Sequence, residues 1–161
     1  MKVFVTVGSE KFPFDRLLRI IDQGVREHII PDETFIQMGH SRYLPRFCEW
    51  KSFLGFSEMV NLVKESEIVL AHAGVGSTLL CLNLGKIPLL FPRQSRFGEQ
   101  IDNHQLDFAR KMEEQAKVLA AYDKKELIYK VCHYKSLISS LPKYPAFSGK
   151  TNLLMHLKKI L

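Results

Sequence analysis

An α/β fold, with a Rossmann-like parallel sheet covered by helices on both faces, is what this 161-residue sequence predicts. Three observations carry that expectation. Short β-branched, apolar runs alternate with longer segments whose apolar residues recur at helical spacing. Most of the apolar runs stop at a glycine or a polar cluster. Glu67–Leu90, EIVLAHAGVGSTLLCLNLGKIPLL, also reads as one complete unit: a buried strand, a glycine turn, a helix opening on Ser77 and Thr78, then Gly85 and a second buried strand.

The elements follow in order. Lys2–Val7 (KVFVTV) is a first strand ending at Gly8 and Ser9. Phe14, Leu17, Leu18, Ile21 and Val25 mark an amphipathic helix over Asp15–Glu27, broken by Pro31 and Asp32. Thr34–Met38 is a second strand, closed by Gly39, and Arg46–Phe53 a third, in which charges mix with Phe47, Trp50 and Phe53. Ser57 suits the cap of a helix running through Glu65, with Met59, Leu62 and Val63 inward. Strand four is Ile68–Ala71, the next helix runs from Ser77 to Leu84, and strand five is Ile87–Phe91. Pro92–Gln100 is a polar loop holding Arg93, Arg96 and Gly98. A helix over Asp102–Glu114, a strand at Lys117–Ala120 and a helix from Lys124 come next, ended by Pro142 and Pro145. Thr151–Leu161 has the pattern of a basic amphipathic helix, so the expected organisation is one domain over residues 1–161 with a C-terminal helix at 150–161.

Composition narrows the class. With 46% hydrophobic and 25% charged residues, the chain reads as an ordinary globular domain. Cys48, Cys81 and Cys132 are odd in number, lack CxxC spacing and lie in apolar runs, which points to packed, reduced thiols. MKVFVTVGS is too short and too soon broken for a signal peptide, and no apolar run approaches the roughly 20 residues of a membrane span. A cytoplasmic location is therefore expected. Of the net charge of +6, residues 1–104 contribute nothing (12 Lys/Arg against 12 Asp/Glu) and residues 105–161 contribute all (11 against 5). Such a lysine-rich end attracts phosphates of nucleic acid or anionic lipid, or is a solvated helical face.

In a parallel sheet, ligands bind beyond the carboxyl ends of the strands. Those ends are Gly8–Ser9, Gln37–Ser41, His72–Thr78 and Pro92–Gln105. Gly74 and Gly76 permit the close backbone approach of a phosphate cradle at a helix N-terminus, although neither Walker A nor a full GxGxxG is present. Ser77 and Thr78 serve either as ligands or as helix caps, and His72 either donates to a phosphate or sugar oxygen or is a satisfied histidine. Asp102, Asn103, His104 and Gln105 put four hydrogen-bonding side chains in a row at a helix start, suited to a polyhydroxylated ligand, with Asn103 able to cap. Phe53 and Phe56 frame a base or belong to the core. The six histidines (His28, His40, His72, His104, His133, His156) lack HxxxH and HExxH spacing, and no paired acids stand out, so neither a metal nor a covalent mechanism is expected. There is no recognisable nucleic-acid module, so a nucleic-acid-binding domain rests on the basic end alone.

VFVTVGS from Val3, FDRLL from Phe14, FIQMGHS from Phe35, IVLAHAGVGST from Ile68, LGKIPLLFPR from Leu84 and DNHQLDFA from Asp102, in that order, resemble the C-terminal, donor-binding half of family 28 glycosyltransferases. The resemblance is to the small subunits of split enzymes, including the dolichol-linked N-acetylglucosamine transferase and exopolysaccharide or capsule counterparts. It implies one half of a GT-B fold and an inverting, metal-independent transfer from a UDP-sugar with no cofactor. Gly74, Gly76, Ser77 and Thr78 would hold the pyrophosphate, assisted by Gly8 and Ser9. Gln37, Gly39 and His40 would lie beside the nucleotide, and Asp102, Asn103 and Gln105 would face the sugar or its phosphates. A membrane-associated partner would supply the acceptor-binding half for a polyprenyl-linked sugar and recruit this chain to the membrane surface. No residue of the chain is identified as the general base. The family carries an acid five residues before the equivalent of Gly85, for the ribose hydroxyls. Leu80 stands there instead. A non-catalytic subunit that stabilises or recruits a glycosyltransferase is the alternative, and restoring a carboxylate at position 80 would be expected to tighten UDP binding.

Overall fold

The computed structural model describes residues 1–142 and arranges them as a six-stranded parallel sheet flanked by helices. The strands are β1 (Val3–Thr6), β2 (Thr34–Gln37), β3 (Glu49–Lys51), β4 (Ile68–Ala71), β5 (Leu89–Leu90) and β6 (Leu119–Ala120). The helices are α1 (Asp15–Arg26), α2 (Phe56–Glu65), α3 (Val75–Asn83), α4 (His104–Glu114), α5 (Lys124–Cys132) and α6 (Tyr134–Ser139). Strand order is β3-β2-β1-β4-β5-β6, so the direction of winding reverses between β1 and β4. At such a reversal the flanking connections leave on opposite faces and a crevice opens at the carboxyl edge. The register sets Lys51, Gln37, Thr6, Ala71, Leu90 and Ala120 in one row along that edge.

Alternation along β1 and β4 explains why both read as unbroken apolar runs. Val3, Val5, Ile68 and Leu70 join Leu17, Leu18 and Ile21 of α1 and Leu127 and Val131 of α5 on one face. Phe4 and Val69 point the other way, onto Met59 and Val63 of α2 and Leu80 and Cys81 of α3.

Several boundaries differ from expectation. β3 keeps only Glu49–Lys51, all exposed, because it is the sheet edge; Phe47, Trp50 and Phe53 stay between 38% and 50% exposed. β5 shrinks to Leu89–Leu90, since Pro88 has no N–H for the ladder. Ser57 does not cap α2: the cap is Gly55, whose N–H donates to the Glu58 carboxylate at 3.0 Å. α3 starts two residues early, at Val75 with Gly74 as its cap. Cys81 is buried and Cys48 partly so, and burial pushes both thiols up to about 12, but Cys132 is exposed rather than packed. No helix among the described residues is long and apolar enough to cross a membrane. The expected helix at 150–161 and Pro145 lie outside the described residues.

The β2–β3 connection is fixed to α1 by two carboxylates. Asp15 accepts from the amides of Arg42 (2.7 Å) and Tyr43 (3.1 Å). Buried Asp22 accepts from the Tyr43 hydroxyl (2.6 Å) and the amides of Arg46 (2.9 Å) and Phe47 (2.8 Å). Burial alone would raise the Asp22 carboxyl, but these bonds and one from Cys48 hold it below its ordinary 3.8. A carboxylate lowered by folding adds stability that is complete above its unfolded value and is lost as pH falls through its folded value. Asp22→Asn is expected to cost about 2–3 kcal/mol at pH 7 in urea unfolding, a loss that shrinks towards pH 3. An unchanged midpoint at pH 7 would contradict this role.

Candidate functional site

The crevice between β1 and β4 is closed by one imidazole. His72 follows β4, is 4% exposed, and its ring lies against both Gly8 and Gly74. A Cβ on Gly8 would stand 2.5 Å from His72 Cε1, and one on Gly74 2.3 Å from Nε2. Both distances are far inside van der Waals contact, so these positions accept only glycine without rearrangement. Gly8 also has φ +75°, and Ala73, between His72 and Gly74, is held at φ 65°. A non-glycine residue in that region marks a turn whose strain the surrounding structure sustains.

His72 Nδ1 lies 3.3 Å from the carbonyl of Thr6, which can only accept, so Nδ1 carries the proton. Burial, followed by the nearby Arg93 charge, pushes the imidazole down from 6.5 to about 3. The neutral ring then offers a lone pair at Nε2 and no second N–H. Of the two readings of His72, its burial and its contact with the Thr6 carbonyl favour the satisfied histidine.

Gln37 is the second organiser. Its Nε2 donates to the carbonyls of Gly8 (2.9 Å) and Ser52 (3.1 Å), and its Oε1 accepts from Thr6 Oγ1 (2.6 Å) and the Gly8 amide (3.2 Å). With both ends of the amide engaged, Gln37 fixes the β1 loop. Gly39 (φ +55°) lies so close to that loop that a Cβ would stand 2.5 Å from the Gly8 carbonyl. Ser9 is exposed beside Gly8.

α3 aims its N-terminus into the crevice. No side chain caps it and its first turn holds no acid, so the amides of Val75, Gly76 and Ser77 keep the unpaired donors and partial positive charge of a helix start. Ser77 is buried within that turn, and Thr78 donates its hydroxyl back to the Gly74 carbonyl at 2.8 Å. Thr78 thus acts inside the helix, while the backbone presents the donors. Leu80 is fully buried in the core with Phe4, Met59 and Val69. A glutamate there would place a charge in that core, so the expected gain in UDP binding is withdrawn.

The run from Asp102 to Gln105 divides in space. Exposed Asp102 accepts from the His104 amide at 3.0 Å and pairs with the His104 ring, which hold its carboxyl below the usual range. Asn103 occupies the cap position of α4, yet its Oδ1 accepts from the amide and hydroxyl of Ser95, each at 3.0 Å. Only Gln105 turns inward, 1% exposed, with Oε1 3.3 Å from the Arg93 amide.

Arg93 is the residue the sequence reading passed over. It directly follows the Phe91-Pro92 end of the fifth apolar run, the one signal that placed it at the carboxyl edge. Its side chain is wholly buried, over the Phe14 ring at 5.0 Å, with Nη2 donating to the Phe12 carbonyl at 3.0 Å and Nη1 3.8 Å from Glu10. Nε and Nη1 of Arg93 and Nε2 of Gln105 are buried donors without a hydrogen-bond partner among the described residues. Burial works against its charge while Glu10 and Glu99 support it, and a guanidinium stays ionised. Arg16 clamps the same loop to α1, joining Glu99 at 2.6 and 2.8 Å and lying 4.5 Å over Phe91 and 4.6 Å over Phe97.

At the β2 and β3 ends, exposed His40 and Phe53 meet edge to face at 5.0 Å, while Phe56 packs on the core. Among the described residues no group of three or more His, Cys, Asp or Glu is placed to hold a metal ion. The crevice is thus a cradle of backbone amides, closed by His72 and within reach of the Arg93 charge, chemistry that suits a phosphorylated ligand.

The model of the glycosyltransferase family 28 C-terminal domain matches residues 2–141. No curated protein sequence matches the chain. Solved structures of similar fold include the glycotransferase of kitacinnamycin (TM-score 0.57, 14% identity, 99% of this chain and 38% of that one). The spinosyn forosaminyltransferase SpnP gives a TM-score of 0.58 at 12% identity, over 98% of this chain and 39% of its own. The Streptomyces sp. SF2575 glycosyltransferase SsfS6, complexed with thymidine diphosphate, gives 0.52 at 16%, over 98% and 36%. The chain spans less than two fifths of the length of each of these structures.

Two outcomes follow from His72. Gly74→Ala is expected to displace the ring and cost about 1–3 kcal/mol, read by thermal or urea unfolding. Because folding lowers the imidazole from 6.5 to about 3, the unfolded chain alone takes up this proton between those values. Stability is complete above 6.5 and declines below it. His72→Gln is expected to flatten that slope between pH 7.5 and 5, and a slope unchanged by the substitution would contradict the neutral ring.

Proposed function

The chain belongs to the family of the glycosyltransferase family 28 C-terminal domain, and on that premise we propose that it is the donor-binding half of a GT-B glycosyltransferase acting on a UDP-sugar. The observation that carries this reading is the uncapped, acid-free N-terminus of α3 at the carboxyl edge of the sheet, with the Arg93 charge near enough to act on the His72 ring. A departing nucleoside diphosphate gains negative charge as the glycosidic bond to it breaks. Backbone donors and a fixed cation that need no reorganisation stabilise that charge most in the transition state. The amides of Val75 to Ser77 and the Gly8–Ser9 loop would hold the diphosphate, with Arg93 supplying charge from below. Gln105 and Asp102 would meet the sugar, and His40 with Phe53 would offer an aromatic rim to the base.

A complete transfer site needs an acceptor-binding half and a general base. Both are assigned to a membrane-associated partner, with a polyprenyl-linked sugar as acceptor and this chain cytoplasmic, recruited to the membrane surface. The alternative of a non-catalytic subunit rested on Leu80, which lies in the core and gives no ground for reading the crevice as degenerate.

Calorimetry with UDP tests the reading. The chain is expected to bind UDP, and Arg93→Gln, which removes a buried positive charge near the crevice, to weaken binding by about 10-fold. A folded wild-type chain that fails to bind UDP would overturn it.

A further inference from the structure

A second positively charged surface lies outside the crevice, and nothing in the donor site uses it. Along α1, Asp15, Arg19, Asp22 and Arg26 repeat at helical spacing beneath the β2–β3 connection. The two acids are occupied by backbone amides of that connection, as described above. The arginines are left without them. Arg19, Arg26, Arg42 and Arg46 are all exposed, and among the described residues none has a carboxylate within ion-pairing distance. Arg19 instead lies 4.5 Å over Tyr43 and Arg26 5.9 Å over Phe47. Between the arginines stand two apolar side chains open to water, Leu44 at 58% and Phe47 at 49% exposure. Asp15, Arg19, Arg42, Tyr43, Leu44 and Arg46 line a groove of about 410 Å³.

We propose that this groove and the Leu44 tip form a docking surface for an anionic membrane, taking lipid phosphates on the arginines and placing Leu44 and Phe47 among the headgroups. Guanidinium forks match phosphate geometry, and apolar residues between cations are what an interfacial site requires. Within the groove itself, Arg19, Arg42 and Arg46 stand against one acid, Asp15, whose carboxylate is engaged by the Arg42 and Tyr43 amides. Bonds to backbone amides hold the connection against α1, so the arginines are displayed on a fixed support. The groove also adjoins the crevice: Asp15 opens α1 directly after the β1 loop, and the Phe14 amide donates to Ser41 Oγ at 3.0 Å. A membrane seated there would bring a lipid-linked acceptor beside the donor. This deepens the reading of a polyprenyl-linked acceptor and rests on it.

Co-sedimentation of the full chain with vesicles tests it, using phosphatidylcholine alone or with 30% phosphatidylglycerol. Binding to the anionic vesicles only is expected. Arg42→Gln with Arg46→Gln should lower the partition coefficient about 30-fold, from the contribution of each cation near an anionic surface. Leu44→Ser should lower it several-fold. These side chains make no bond to Asp15 or Asp22, so the variants should keep the wild-type unfolding midpoint and UDP affinity. A variant with Lys150, Lys158 and Lys159 changed to Gln separates the lysine-rich end and should retain most of the binding. The proposal is overturned if anionic vesicles are not bound, if neutral ones bind equally, or if the arginine changes lower binding less than threefold while the lysine changes abolish it. Vesicle binding without UDP binding would contradict the donor reading alone.

Discussion

The contact of the His72 imidazole with Gly8 and Gly74 governs the site. At the point where the sheet reverses its winding, the β1 and β4 loops must close on a common partner, and a ring stands there with backbone on either side. Any Cβ on those two glycines would overlap it. Thr6 orients the ring through Nδ1, Gln37 ties Thr6 to Gly8, and Gly39 admits the β2 loop against the Gly8 carbonyl. The α3 N-terminus is aimed by the same contact, because Gly74 is both the helix cap and the surface against which the ring packs.

The electrostatics follow from that packing. A protonated histidine at this position would be close to Arg93 in a buried setting, and burial removes that outcome. Arg93 is the buried cation near the ring; Glu10 lies 3.8 Å from it, while Glu99 is engaged by Arg16. Its Nη2 is bonded to the Phe12 carbonyl, and its charge acts on the His72 ring across the buried interior. The same separation recurs on α1, where backbone amides engage Asp15 and Asp22 and leave the neighbouring arginines unpaired. In both places carboxylates fix loops, and cations remain available.

Much of this was legible in the sequence, and the misses share a cause. β1, β4 and α1 announce themselves because their burial is continuous or periodic. The glycine caps at Gly55 and Gly74 do not, since a glycine cap leaves no side-chain signal and the serines at 57 and 77 are nearby decoys. The DNHQ run was read as one ligand-facing cluster, but successive residues at a helix start point in different directions, so Asn103 holds Ser95 while Gln105 turns inward. Arg93 escaped notice because a buried arginine looks like any loop arginine in one dimension. Leu80 shows the reverse: its substitution for an acid was evident, but its place in the core was not.

The most direct measurement is an amide NMR titration of the full chain with UDP. If the β1–β4 crevice is the donor site, the largest shift changes fall on Gly8, Ser9 and Val75–Ser77, with the Arg93 side-chain N–H signals moving in step. Changes confined to other surfaces, such as the groove along α1, with the crevice amides unmoved, would contradict the assignment of this crevice to the nucleoside diphosphate.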